Sequence, residues 1–209
     1  MRSVNGRILF DFDGTLIDSS QRLYRLFCEL APECSLSYQE YWRIKRDRVN
    51  QADILRQYFN YNDVQIAQFK KAWMTSIEDI SRLAQDVPFA GVHELLRQLS
   101  LTHALYLVTA RQYPERVKKQ VASFGWSEYF TDILVTGQQQ TKTALIRSMV
   151  AYDPTDIIVG DTGEDIQVGK ELGIRAVAVS SGCLSAEVLA EYKPDCLLEN
   201  VVSPYFLKL

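Results

Sequence analysis

Arg7-Ile8-Leu9-Phe10-Asp11-Phe12-Asp13-Gly14-Thr15 is the stretch on which the fold turns. Residues 7–11 form a short apolar run ending in an acid, the pattern of a buried strand. Two aspartates then flank a phenylalanine and lead into Asp-Gly, a turn dipeptide. Side chains alternate along an extended segment, so Asp11 and Asp13 point to one face and Phe12 to the other. Taken alone, this motif is also compatible with an ordinary turn.

Working outward, similar apolar runs recur at 104–108, 132–136, 156–160 and 175–179. Helical periodicity fills the spaces between them. In 91–99, Val92, Leu95, Leu96 and Leu99 fall on one helix face. Segment 113–124 offers Val117, Val121 and Phe124 before Gly125, a suitable stop, and 141–150 offers Leu145, Ile146, Met149 and Val150. Strands alternating with such helices argue for an α/β fold with a doubly wound parallel sheet. Between the first strand and the one at 104 no β pattern is found, although a crossover needs only about 30 residues. The surplus reads as helices, with one apolar face at Leu23, Leu26, Phe27 and Leu30 and another at Trp73, Ile77, Ile80 and Ala84. The expected organisation is a core of residues 1–18 and 87–209 with a small helical insertion, 19–86, after the first strand.

The 209 residues carry 26 acids against 23 Lys and Arg, and the net charge of −3 gives no general reason to hold a nucleic acid. No apolar run approaches the roughly 20 residues that span a bilayer. The N-terminal segment has no signal-peptide core, so the cytoplasm is the expected compartment. Cys28, Cys34, Cys183 and Cys196 form no C-x-x-C pair, and His93 and His103 lack metal-ligand spacing, which argues against zinc and for free thiols.

In open α/β sheets the ligand lies beyond the carboxyl ends of the strands. Those ends carry Asp11-Phe12-Asp13-Gly14-Thr15, then Thr109-Ala110-Arg111, then Gly160-Asp161-Thr162-Gly163-Glu164-Asp165. The last of these also reads as a plain helix N-cap, and Thr109 as a plain strand end. Together they bring carboxylates, hydroxyls and an arginine to one rim. Neighbouring carboxylates repel unless a cation neutralises them, and oxygen-only ligands favour a hard ion, Mg²⁺ above all. One aspartate of the first motif can then attack phosphorus while the other moves protons.

These motifs resemble the haloacid dehalogenase-like phosphohydrolases over nearly the whole chain. Phe10 to Leu16 is similar to the family's first motif, Leu107 to Arg111 to its second, Lys142 before Ala144-Leu145 to its third, and Gly160 to Asp165 to its fourth. Segment 86–99 resembles the re-entry from a helical cap. The tail from Ser180-Ser181-Gly182 through Lys193-Pro194-Asp195 resembles the phosphoglycolate phosphatase-like branch. The resemblance implies a nucleophile and metal ligand at Asp11, and a general acid/base at Asp13 that binds metal through its carbonyl. It implies phosphoryl-oxygen binding by Thr109 and Ala110, charge compensation by Lys142, and Mg²⁺ ligation by Asp161 and Asp165. The insertion would be a cap over the site.

The expected activity is therefore a Mg²⁺-dependent phosphatase for a small phosphorylated metabolite, phosphoglycolate first, through an aspartyl-phosphate. A phosphomutase of the same family, or a non-catalytic binding protein that kept the fold, are the alternatives. Retention of Asp13 argues against a dehalogenase, and no cap lysine among Lys45, Lys70 and Lys71 is marked as the Schiff-base group of a phosphonatase. Lys118 and Lys119 compete with Lys142 for the third motif. Arg111 either contacts substrate or pairs with an acid. The basic run Arg43, Lys45, Arg46 and Arg48 is a solvated face or an anion attractor. The aromatics Tyr41, Trp42, Tyr58, Phe59 and Tyr61 are core, substrate wall or dimer surface, and monomer and homodimer stay equally open.

Overall fold

The computed structural model describes residues 6–204 and Phe206. Strand β1 (Arg7–Phe10) leads through the Asp11–Leu16 turn into the two-residue β2 (Ile17–Asp18). Helices α1 (Ser20–Leu30), α2 (Tyr38–Arg46), α3 (Gln51–Phe59), α4 (Asp63–Ser76) and the single turn α5 (Ile80–Leu83) follow. Strand β3 (Val87–Pro88) returns antiparallel to β2, with Ile17 opposite Pro88 and Asp18 opposite Val87. The helical segment thus leaves and rejoins the chain through a pair of adjacent strands.

The rest alternates as α6 (Val92–Leu99), β4 (Ala104–Thr109), α7 (Pro114–Ser123), β5 (Phe130–Val135), α8 (Lys142–Met149) and β6 (Ile157–Gly160). It ends with α9 (Gly163–Leu172), β7 (Arg175–Val179), α10 (Ala186–Glu191) and β8 (Cys196–Leu198). The six longer strands form one parallel sheet in the order β5-β4-β1-β6-β7-β8. The chain fills one side of β1 and then the other, so the sheet's switch point lies at β1, where open α/β sheets bind ligands.

Strand alternation divides the core in two. Ile8, Phe10, Leu105, Leu107 and Val159 face α6 and α7, meeting Leu96, Val117 and Val121. Leu9, Val108, Ile158 and Ala176 face α8 and α9, meeting Ile146, Ile166 and Leu172. Both faces of the sheet are covered, which explains why its strands read as continuous apolar runs. Helices α1 to α4 have a third cluster of their own, built on Phe27, Tyr41, Ile54, Leu55 and Phe69. Capping boxes at Ser37–Glu40 and Asn62–Gln65 start α2 and α4 and satisfy their first backbone N–H groups.

The structure departs from the sequence expectations in places. Trp73, Ile77, Ile80 and Ala84 do not share one helix face, because α4 stops at Ser76 and Ile80 is 59% exposed. The helix is interrupted where tertiary partners take its groups. The Ile77 carbonyl accepts Arg22 Nη1 at 2.8 Å, and the Glu78 carboxylate accepts the backbone N–H of Gln112 at 2.7 Å. Met149 is exposed at the end of α8, while Val150 just beyond it is buried. Strands β2, β3 and β8 have only two or three residues, too few for a periodic signal. Of the aromatics in the insertion, Tyr41 and Trp42 are buried and Tyr58 is exposed.

Phe27 is fully buried, with its ring centroid 4.8 Å from that of Tyr41 and 5.5 Å from that of Phe69. Phe27→Ala is expected to cost about 3–5 kcal/mol through lost burial and the cavity left behind. Urea unfolding of both proteins checks this.

Candidate active site

The turn after β1 is held by its own backbone. The carbonyl of Phe12 accepts the N–H groups of Leu16 at 3.0 Å and Ile17 at 3.2 Å, and Asp11 N–H donates to the Val159 carbonyl at 2.9 Å. Gly14 has φ of +77°, and a Cβ there would run into the Asp161 carboxylate. Gly182 is confined in the same way, since a Cβ would again meet Asp161. Both glycines leave room for Asp161, whose Oδ2 accepts the N–H of Cys183 at 2.5 Å.

Asp11, Asp161 and Asp165 are buried, with carboxylate oxygens within 4.8 Å of one another. Lys142, on the first turn of α8 and 3% exposed, donates to Asp11 Oδ1 and Asp165 Oδ1, each at 2.6 Å. Its rivals Lys118 and Lys119 are exposed on α7. Asp165 also accepts from Thr162 Oγ1 at 2.6 Å, so one residue caps α9 and holds the lysine. Thr15 Oγ1 donates to Asp11 Oδ2 at 3.3 Å.

One lysine among three buried carboxylates leaves a deficit of positive charge. Burial pushes the Asp11 carboxyl up to about 7, with Lys142 opposing and Asp165 adding to the rise. Burial, reinforced by Asp11 and Asp165, also raises Asp161 well above the ordinary range. Burial would lower the Lys142 ammonium, but Asp11 and Asp165 outweigh it and raise it. The cluster prefers to hold protons or to receive a cation, and its oxygen donors suit a hard divalent ion.

Asp13 lies in a different setting. Its Oδ1 accepts Arg22 Nη2 and Arg111 Nη2, each at 2.7 Å, and its Oδ2 accepts Arg111 Nε at 2.6 Å. Both arginines also reach the fully buried Asp86, Arg22 at 2.7 Å and Arg111 at 3.3 Å. Two guanidinium groups and two carboxylates balance. Burial would raise the Asp13 carboxyl, yet Arg111 and Arg22 hold it well below the usual carboxylate range. Arg111 therefore pairs with an acid in this structure.

Asp11, Asp13, Thr109, Ala110, Arg111, Lys142 and Asp161 line a single cavity of about 510 Å³, which helices α1, α2 and α4 cover from the other side. Asp165 stands behind it, against Lys142. Of the basic run only Arg46 lines the cavity, while Arg48 pairs with Glu191 at 2.9 Å on the surface. Lys45, Lys70 and Lys71 do not line it. Arg22 and Asp86 were not legible as site residues. Arg22 stands four before Leu26 on the buried side of α1, and a charge in line with an apolar stripe was the available signal.

The family profile described as haloacid dehalogenase-like hydrolase matches residues 8–179. The chain belongs to that family. It is 25% identical over 206 residues to a phosphoglycolate phosphatase of Synechococcus elongatus, covering 92% of each chain. It is 21% identical to the pyrophosphatase PpaX of Halalkalibacterium halodurans, covering 93% of this chain and 92% of that one. A haloacid dehalogenase-like hydrolase structure from Streptococcus pneumoniae superposes with a TM-score of 0.78 at 22% identity, covering 98% of both chains. The family match makes the chain a haloacid dehalogenase-like hydrolase.

Lys142→Met would leave Asp11 and Asp165 buried without their cation. With chelator present, the loss of stability is expected to reach about 3–5 kcal/mol near pH 8. It is expected to shrink near pH 5, below the raised value of Asp11, where that carboxyl carries a proton and needs no partner. Denaturant unfolding of both proteins at the two pH values measures the difference.

Proposed function

We propose that the protein is a Mg²⁺-dependent phosphatase that hydrolyses a small phosphorylated metabolite through an aspartyl-phosphate on Asp11, in the cytoplasm. The observation that carries this reading is the under-compensated cluster of Asp11, Asp161 and Asp165 with Lys142, of which Asp11, Asp161 and Lys142 line a cavity that Asp13 and Thr109 also line. Asp11, Asp161, Asp165 and the carbonyl of Asp13 are the groups to hold Mg²⁺, which would supply positive charge for the phosphoryl oxygens.

Each remaining role follows from the chain. Asp11 attacks phosphorus, the bond to the leaving oxygen breaks, and Asp13 gives that oxygen a proton. Asp13 then takes a proton from water as the water attacks the acyl phosphate, releasing inorganic phosphate and restoring Asp11. The Thr109 hydroxyl and Ala110 N–H donate to the phosphoryl oxygens, and Lys142 offsets the charge on Asp11. The paired arginines hold Asp13 ionised and make it a weak base, so its service as acid and base requires that the carboxyl be loosened from them. Residues 19–86 act as the cap that keeps bulk water from the intermediate.

Phosphate release from an aryl phosphate tests the reading. Activity is expected with Mg²⁺, lost to chelator, and reduced on the order of 10³-fold or more in Asp11→Asn. Retained turnover in Asp11→Asn overturns the nucleophile.

Cation binding must also displace protons from the cluster, because Asp11 titrates near 7. Mg²⁺ is therefore expected to raise the melting temperature more near pH 8 than near pH 5.5, by about 2–4 °C for each kcal/mol of linked binding. Thermal melts with and without Mg²⁺ at both pH values check it, and an equal shift at both would argue against these carboxylates as ligands.

A further inference from the structure

The cavity has two unlike sides. Its floor is the charged rim described above, while its roof, apart from Ser20 and Arg22 of α1 and Arg46 of α2, is apolar and largely aromatic. Leu23 of α1, Tyr38 and Trp42 of α2, and Trp73 and Met74 of α4 line it, with Ile77 just beyond. These side chains are held from behind rather than loose. Tyr38 shares a 2.6 Å hydrogen bond between its hydroxyl and Ser20 Oγ, and its ring lies 6.5 Å from that of Trp42. Trp73 stacks on Phe69 with centroids 5.8 Å apart. A phosphoryl group needs none of this surface.

The size points the same way. A volume of about 510 Å³ falls in the range of roughly 300–1,000 Å³ typical of pockets for drug-sized ligands. Phosphoglycolate or pyrophosphate would occupy only the polar floor. Among the described residues, four buried side-chain nitrogen and oxygen atoms have no hydrogen-bond partner, and two of them belong to residues lining this cavity: Trp42 Nε1 and Arg111 Nη1. Both are donors. Neither atom is open to solvent, so the cavity's claim on a ring rests on its aromatic lining.

We propose that the aromatic roof is a leaving-group subsite, and that the substrate is a phosphate monoester whose leaving group carries a flat aromatic or heteroaromatic ring. The phosphoryl group rests on the carboxylate and lysine floor, and the ring lies against Tyr38, Trp42 and Trp73. Offset or edge contacts between rings supply attraction that an aliphatic leaving group does not obtain, and Met74 adds a sulfur–ring contact. This inference rests on the phosphatase reading for its floor, and on the aromatic residues alone for its roof.

Matched esters separate the two. Uridine and adenosine 5′-monophosphates share their leaving oxygen with ribose 5-phosphate and differ by the ring. Affinities measured by calorimetry on Asp11→Asn protein require no turnover. At least one ring-bearing ester is expected to bind about tenfold or more tightly than its ring-free counterpart. Trp73→Leu, which alters a half-buried side chain, and Trp42→Leu, which removes the second ring, should each narrow that gap. Equal binding of every pair, or a gap that both variants leave intact, overturns the subsite. Loss of phosphate release by the wild type with the gap preserved overturns the phosphatase reading and leaves the subsite standing.

Discussion

The buried contact of Lys142 with Asp11 and Asp165 is the interaction on which the site depends. Three carboxylates gathered within one cluster would otherwise keep their protons or push apart. A single ammonium fixed by α8 holds two of them at 2.6 Å and leaves the third, Asp161, to a backbone N–H. The arrangement is under-neutralised, and that is its chemical content: burial and mutual repulsion raise Asp11 and Asp161, so a cation has both a place and a driving force there.

A second, balanced cluster joins the helical insertion to the rim. Arg22 comes from the insertion's first helix, Asp86 from the segment where the insertion ends, and Asp13 and Arg111 from two strand ends of the core. Breaking any member leaves a buried charge without its partner, so the four residues hold the insertion against the site more firmly than surface ion pairs would. The two clusters therefore differ in kind. One lacks positive charge and favours cation binding, and the other is charge-neutral and gives Asp13 a defined orientation.

Much of the parallel core was legible because its strands are buried on both faces and its helices on one, and both patterns survive in a linear sequence. Val92, Leu95, Leu96 and Leu99 lie on one buried face as their spacing implies. Ile80 illustrates the limit. Its spacing from Trp73 and Ile77 fits a helix, yet Arg22 and the backbone at Gln112 claim the groups at Ile77 and Glu78 and divide that helix. Periodicity records which side chains prefer burial, and it carries no record of a backbone carbonyl taken by a distant arginine. Lys142 was set apart from Lys118 and Lys119 by its place before Ala144-Leu145, and the structure adds its contacts with Asp11 and Asp165.

The sequence by itself determined the apolar runs and the acids that end them, and so the oxygen-rich rim on which the proposed function rests, since these follow from residue type and local spacing. Only the tertiary structure decided that Arg22 and Asp86 share a cluster with Asp13 and Arg111, that Asp165 both caps α9 and grips Lys142, and that Trp42 and Trp73 cover the same cavity the aspartates floor. These partners lie tens of residues apart in the chain. What pairs them is the parallel sheet, which brings loops from separate strands to one edge, and the insertion, which folds its helices back over that edge.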